Sequence, residues 1–87
     1  MDQSNIESFR EKLDQTYSWP ALYMFKFIVP SEKKEELKAL FPNHSVSERP
    51  SSKGTYISVT IEMMLPSSQA VIDVYVRAYT VKGILSL

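Results

Sequence analysis

Residues 50–65 read PSSKGTYISVTIEMML, and this stretch decides the fold. Its second part alternates in polarity, with one side formed by Tyr56, Ser58, Thr60 and Glu62 and the other by Ile57, Val59, Ile61 and Met63. A strand repeats every two residues, so the alternation predicts a half-buried strand over about residues 55–65. The proline, serines and glycine in front of it predict the turn from which the strand starts.

An earlier stretch, at about residues 23–29, alternates in the same way. One face carries Tyr23, Phe25, Phe27 and Val29, and the other carries Met24, Lys26 and Ile28. Lysine is almost never fully buried. The face with Lys26 is therefore predicted to be exposed, and the aromatic face is predicted to point to the core.

Helical periodicity and helix-ending residues predict the remaining elements. An amphipathic helix is expected over residues 4–15, a second over residues 31–41 after the cap residues Pro30 and Ser31, and a third that opens at residues 66–68. A weak strand is expected over residues 44–49 and a short terminal one over residues 84–87.

The order of elements is a helix followed by β-α-β-β-α-β, which predicts an α+β, ferredoxin-like βαββαβ sandwich. In that arrangement two helices pack on one face of a four-stranded antiparallel sheet, and here a short N-terminal helix is added. We expect residues 1–22 to form this helix and a lead-in, and residues 23–87 to form the ferredoxin-like domain. The second sheet face is then left to solvent or to a partner.

Composition limits the classes of function. The chain has 87 residues, ten basic and ten acidic side chains and no cysteine. Without cysteine there are no disulfides, no thiolate metal site and no cysteine nucleophile. The balanced charge lacks the electrostatic footprint of a nucleic-acid binder, and no apolar run reaches the length of a membrane span. We expect a cytoplasmic protein with no membrane or nucleic-acid partner.

Two segments resemble a family of small bacterial proteins, the YbeD-like family. WPALYMFKF, residues 19–27, is similar to the entry into the family's first strand, and PSSKGTYISV, residues 50–59, is similar to its signature turn and third strand. The likeness covers about residues 13–87. It implies a fold similar to that of ACT domains, the ligand-sensing modules of metabolic enzymes, and a protein of unknown function.

The chain departs from the ACT pattern at the turn after the first strand. ACT domains bind their amino acid near a glycine in that turn, whereas residues 28–32 here read IVPSE. A backbone that approaches a ligand closely usually needs glycine, so amino-acid sensing in the ACT mode is not expected. The same turn has no arginine, which acylphosphatases of this topology use to bind phosphate.

The turn formed by Ser51, Ser52, Lys53 and Gly54 has two interpretations. Two hydroxyls, an ammonium group and a flexible backbone are able to cradle an anion, which would make the turn a ligand-binding site. The structural interpretation is that these residues only build the connection between two strands. One lysine and one glycine do not make a phosphate loop.

His44 is the only histidine, and nothing in the sequence pairs it with a nucleophile or a second metal ligand. We therefore expect no catalytic residue, no metal site and no cofactor, and the chain is not predicted to be an enzyme. An RNA-recognition module shares the topology and stacks bases on aromatic residues of its first and third strands. Here Tyr56 is out of phase for that role, so RNA binding is the least favoured hypothesis.

The exposed sheet face is the leading candidate for function. Its proposed interaction residues are Met24, Lys26, Ile28, Tyr56 and Ser58. An open antiparallel sheet face is normally solvated, but exposed apolar residues also mark docking surfaces. The sequence thus favours a non-enzymatic, ACT-like regulatory or protein-interaction domain that contacts a protein partner or a second copy through this face. A small-ligand or anion sensor that uses the Ser51–Gly54 turn is the alternative.

Overall fold

A computed structural model describes residues 3–87. The elements are α1 (Gln3–Thr16), β1 (Ala21–Pro30), a 3-10 turn (Ser31–Lys33), α2 (Lys34–Leu40), β2 (Ser45–Pro50), β3 (Tyr56–Leu65), α3 (Ser68–Ala78) and β4 (Leu85–Ser86). The predicted α+β class, with a four-stranded antiparallel sheet, is confirmed.

The sheet has the strand order β2-β3-β1-β4, and every neighbouring pair is antiparallel. β1 and β2 therefore run parallel to each other with β3 between them, and β3 and β4 run parallel with β1 between them. β1 and β3 pair over all ten residues, from Ala21 opposite Leu65 to Pro30 opposite Tyr56. This long central pair sets the orientation of both sheet faces.

The core lies on one side of the sheet, as the alternating polarity predicts. Phe25, Phe27 and Val59 are fully buried, and the helices supply Leu37 and Val71 against them. Ser67 caps α3, because its side-chain oxygen accepts a hydrogen bond from the backbone N–H of Ala70 at 3.2 Å. The rings of Phe25 and Phe27 therefore lie on the side of the sheet that faces the helices.

α1 packs against α3 at the end of the core. Phe9 meets Tyr75 edge-on with ring centroids 5.7 Å apart, and Leu13 is buried. Tyr75 in turn contacts Phe25 and Phe27, at centroid distances of 5.1 and 5.9 Å. Edge-on aromatic pairs stabilise a fold by more than the burial of their surface alone. The ring of Tyr75 therefore joins the N-terminal helix to the sheet.

The predicted helix over residues 31–41 is shorter and starts differently. Its first turn is the 3-10 turn, and Ser31 does not cap it. The Ser31 hydroxyl donates instead to the carbonyl of Gly54, 2.5 Å away, and so joins this turn to the β2–β3 connection. Helical structure ends at Leu40 because Phe41 precedes Pro42, and proline disfavours helical geometry in the preceding residue.

The terminal strand is also shorter than expected, with two residues where residues 84–87 were predicted. Ile84 is held in a turn, since its N–H donates to the carbonyl of Val81 at 3.4 Å. The strand therefore begins at Leu85. Leu87 still donates its N–H to the carbonyl of Lys26, at 2.9 Å. β1 is longer than predicted and already begins at Ala21.

Candidate functional site

The side of the sheet away from the core is called the open sheet face here. The pairing register places four sets of residues on it: Leu22, Met24, Lys26 and Ile28 of β1; Tyr56, Ser58, Thr60, Glu62 and Met64 of β3; Ser45, Ser47 and Arg49 of β2; and Leu85 and Leu87 at the chain end. All five residues predicted for the interaction face, Met24, Lys26, Ile28, Tyr56 and Ser58, lie there together.

Exposed apolar side chains are concentrated on this face. Eight large hydrophobic residues are exposed in residues 3–87, and only Val76 and Tyr79 of the eight lie elsewhere, at α3. The other six are Leu22, Met24, Tyr56, Met64, Leu85 and Leu87. They form two groups, one at the start of β1 and the other where β4 and the start of β3 flank the end of β1. Such a concentration is typical of a contact surface rather than of a solvated sheet.

Three charged side chains stand among these apolar groups. Lys26, Arg49 and Glu62 make no ion pair with any other residue that the structure describes. Charges near the helices behave differently: Glu48 lies 2.7 Å from the Lys38 ammonium and 3.3 Å from that of Lys34. The open sheet face thus holds two unpaired cations and one unpaired anion.

The Ser51–Gly54 turn is held by its own hydrogen bonds. Ser51 donates its N–H to the carbonyl of Tyr56 at 2.9 Å and accepts the Gly54 N–H at 3.0 Å. Its side-chain oxygen also accepts from the Tyr56 N–H at 3.3 Å. Gly54 has a φ of +72°, a conformation that side chains with a Cβ rarely adopt. The structural role of the turn is therefore established by these contacts.

The same turn borders a shallow pocket of about 230 Å³ at the end of the open sheet face. Its lining consists of Ile28, Arg49, Pro50, Ser51, Tyr56, Ile57 and Ser58. Of the four turn residues predicted to bind a ligand, the structure brings Ser51 to this pocket. Ser52, Lys53 and Gly54 are exposed and are not part of its lining.

A second pocket, also of about 230 Å³, lies on the helix side next to β4. It is lined by Phe9, Tyr75, Tyr79 and Ser86. The hydroxyls of Tyr79 and Ser86 are hydrogen-bonded at 2.8 Å, and the Tyr75 hydroxyl lies 3.2 Å from that of Tyr23. Burial, and then the hydrogen bond with Tyr23, raise the pKa of Tyr75 well above its ordinary value, so its phenol stays neutral.

His44 is exposed beside the start of β2. Within residues 3–87, no group of three or more His, Asp or Glu side chains is arranged to hold a metal ion. None of the helices described there is both long and apolar enough to span a bilayer.

Sequence reasoning missed part of the open sheet face. Leu22 lies before the predicted start of β1, so a longer estimate of that strand would have found it. Met64 lies inside the predicted β3 and has the same parity as Glu62, but it was not counted with the face. Arg49 lies on the same side of β2 as Ser45 and Ser47, so alternation along that strand also predicts its place on the face. Leu85 and Leu87 gave no signal, because only the pairing of β4 with β1 puts them on this face.

Comparisons with known proteins give one match. The family model described as "Protein of unknown function (DUF493)" matches residues 14–84. No curated protein and no solved structure matches the chain.

Proposed function

The chain belongs to the DUF493 family, the YbeD-like family that its two motifs resemble, and because the function of that family is unknown we propose one from the geometry: a non-enzymatic interaction domain that docks a second copy of itself on the open sheet face. The observation that carries the proposal is the position of the exposed apolar residues. Six of the eight in residues 3–87 lie on this one face.

The size of the face supports this occupant. β1 and β3 are each ten residues long, or about 33 Å, and with the shorter flanking strands the sheet covers roughly 450 Å² in projection. The accessible area is larger, because side chains stand up from the sheet. The projected area is about half of the roughly 800 Å² that each partner contributes to a standard interface. Two such sheets pack face to face at about 10 Å.

The charges support self-docking rather than docking of a partner with a single sign of charge. A symmetric dimer brings the same patch of both copies together, so the patch must complement itself. The open sheet face carries Lys26 and Arg49 together with Glu62, and none of them is neutralised within residues 3–87. The whole chain has no net charge, so two copies do not repel each other at long range.

We further propose that the fold is ferredoxin-like and the role ACT-like. The strand order supports the first point, because each βαβ unit is split by a strand of the other, as in split βαβ folds. The pocket at Arg49 supports the second. Its lining brings together Arg49, Ser51, Ser58 and Tyr56 at the edge of the docking face.

The second candidate function, sensing of a small anion, rests on this pocket. The Ser51 oxygen accepts from the Tyr56 N–H, which leaves its hydroxyl proton free to be donated to a ligand. A carboxylate or phosphate bound to Arg49 would place its remaining atoms against Ile28 and Tyr56, where they would alter the docking face. Titration of the full chain with inorganic phosphate and with acetate, followed by NMR shifts, tests this. Arg49→Gln should abolish the shifts around Tyr56, and Lys53→Ala, as the matched control, should retain them.

Sedimentation velocity of the full chain over a range of concentrations tests the docking proposal. The parent chain should change from monomer to dimer. Lys26→Glu should weaken the dimer, because it replaces the cation proposed to face Glu62 of the second copy with a like charge. The double variant Lys26→Glu with Glu62→Lys exchanges the two charges and should restore association. Circular dichroism shows that each variant is folded.

Two results would count against this function. A chain that stays monomeric at every concentration would leave the face without a second copy. A double variant no better than Lys26→Glu would mean that charge complementarity plays no part. If a monomeric chain binds a different protein and Lys26→Glu prevents it, the face is a docking surface for that protein instead.

A further inference from the structure

The outer edge of β1 is paired over only part of its length. On this side β1 contacts β4 through Phe27 and Ile28, and Leu87 adds one hydrogen bond to the carbonyl of Lys26. On the other side β3 pairs with all ten residues. The half of the edge between Ala21 and Phe25 is therefore without a neighbouring strand in the described part of the chain.

The positions of the free hydrogen-bonding groups follow from the bond to Lys26. In an antiparallel strand the N–H and C=O of alternate residues point to the same side. Because Lys26 uses its carbonyl toward the β4 side, Met24 and Leu22 also point their backbone groups to that side. These two residues offer two donors and two acceptors, spaced as a strand requires, to any extended segment that lies beside them.

The continuation of β4 leads to the second pocket. A strand that runs in the direction of β4 and pairs with β1 has Leu87 opposite Lys26, and its next residue lies opposite Phe25. That next residue lies on the helix side, two positions beyond Ser86. The pocket lined by Phe9, Tyr75, Tyr79 and Ser86 lies on this side of the sheet, and the ring centroid of Tyr75 is 5.1 Å from that of Phe25.

We infer that the free half of the β1 edge is a binding slot for an extended peptide segment of a partner protein, which adds a fifth strand to the sheet. One apolar side chain of the segment fills the pocket beside Tyr75 and Tyr79. Its alternate side chains lie on the open sheet face against Leu22 and Met24. The slot borders the face-to-face contact proposed above, with which it shares the side chains of Leu22 and Met24, but its backbone edge does not depend on that contact.

The backbone groups and the pocket of the slot favour an extended peptide with apolar side chains. Backbone groups on an open edge give affinity for any extended chain, and a pocket for alternate side chains gives the choice between chains. At about 230 Å³ the pocket is below the usual volume of sites for small organic ligands, roughly 300–1,000 Å³, and suits a single side chain. Aromatic rings on one side of the slot and exposed Leu22 and Met24 on the other favour apolar residues at both sets of positions.

Met24 provides a sharp test of the slot. Because its N–H points away from β3, Met24→Pro removes a donor from the free edge and leaves the β1–β3 bonds in place, which is where edge strands tolerate proline. Met24→Ala is the matched control, since it shortens the same side chain and keeps the N–H. The full chain of each variant is used to select from a displayed library of random peptides about eight residues long, enough to cover the free edge.

The parent chain should select peptides with alternating apolar residues. Met24→Ala loses the side-chain contact alone and should bind these peptides a few-fold more weakly than the parent. Met24→Pro loses the N–H as well and should bind them about tenfold more weakly than Met24→Ala, or not at all. In hydrogen exchange, the amides of Leu22 and Met24 should be unprotected in the free chain and protected by a selected peptide. This second measurement decides the matter if Met24→Pro does not fold.

The inference is wrong if the library yields no peptide, or if selected peptides leave the exchange of Leu22 and Met24 unchanged. It is also wrong if Met24→Pro abolishes self-association of the chain while no peptide is selected, because the edge would then pair with a second copy. Loss of dimer in Lys26→Glu with the slot intact would leave this inference standing.

Discussion

Replacing Tyr56 by alanine tests the open sheet face most directly. Tyr56 begins β3 and is 47% exposed in the single chain. The other half of the side chain already lies against its own molecule, so a second copy has the exposed half left to cover. We expect the variant to lose self-association and to stay folded.

The expected loss of dimer affinity follows from the exposed half of the Tyr56 side chain. A tyrosine side chain buries about 150–250 Å², so docking covers roughly 100 Å² of Tyr56. At about 25 cal/mol per Å² this gives at most ~2.5 kcal/mol per copy, and truncation of an interface anchor costs about 2 kcal/mol. A symmetric dimer contains the residue twice. Its dissociation constant should therefore rise about a thousandfold, while the free energy of unfolding changes by about 1 kcal/mol or less.

Tyr79→Ala is the matched control for this variant. Tyr79 is 42% exposed and so offers nearly the same area, but it lies at the end of α3 on the other side of the sheet. Sedimentation velocity should show weaker dimers for Tyr56→Ala and unchanged dimers for Tyr79→Ala, with thermal unfolding recorded for both. Equal dimer stability in the two variants would refute the assignment of the contact to the open sheet face.

Three further predictions concern the stability of the single chain. Gly54→Val should cost about 1–2 kcal/mol in denaturant unfolding, because no atom lies near the added Cβ and only the positive φ is strained; an unchanged midpoint would contradict this. The hydrogen bond from Lys38 lowers the pKa of Glu48, so this ion pair stabilises the fold above the unfolded-state pKa of Glu48, and the stabilisation disappears as pH falls through the lower folded-state pKa. Glu48→Gln should therefore make stability depend less on pH in the acid range. The same acid dependence in both chains would argue against the ion pair. Burial, followed by the hydrogen bond to Tyr23, raises the pKa of Tyr75 in the folded chain. The unfolded chain therefore loses the phenol proton of Tyr75 near the ordinary pKa of 10.0, while the folded chain keeps it. Stability should then fall as pH rises above that value, and Tyr75→Phe should reduce the fall; an equal fall in both chains would show that Tyr75 does not titrate on unfolding.

How far the sequence predicts this protein depends on the range of the interactions involved. The two faces of β1 and β3 were predictable, because the alternation in residues 23–29 and 55–65 is a local property with a period of two. The same alternation correctly placed Lys26 and Tyr56 outside and Phe25 inside the core. The family was predictable from residues 19–27 and 50–59, which are short continuous segments.

The ends of elements were less predictable, because they depend on contacts with distant residues. Ser31 has the composition of a helix cap, yet its hydroxyl is used by Gly54, 23 residues later in the chain. The last strand is short because a hydrogen bond to Val81 holds Ile84 in a turn. Neither partner could be identified from local propensity.

What the sequence by itself determined is which side chains of each long strand share a face, and hence that one sheet face is exposed. What only the tertiary structure decided is which strands lie side by side. That pairing brings Leu85 and Leu87 onto the open sheet face and sets Arg49 beside Tyr56 at one pocket. Within residues 3–87 it also leaves Leu22 and Met24 without a paired strand on the β4 side. The physical reason is that polarity along a strand specifies its faces, whereas register and edge pairing arise from hydrogen bonds between segments far apart in the chain.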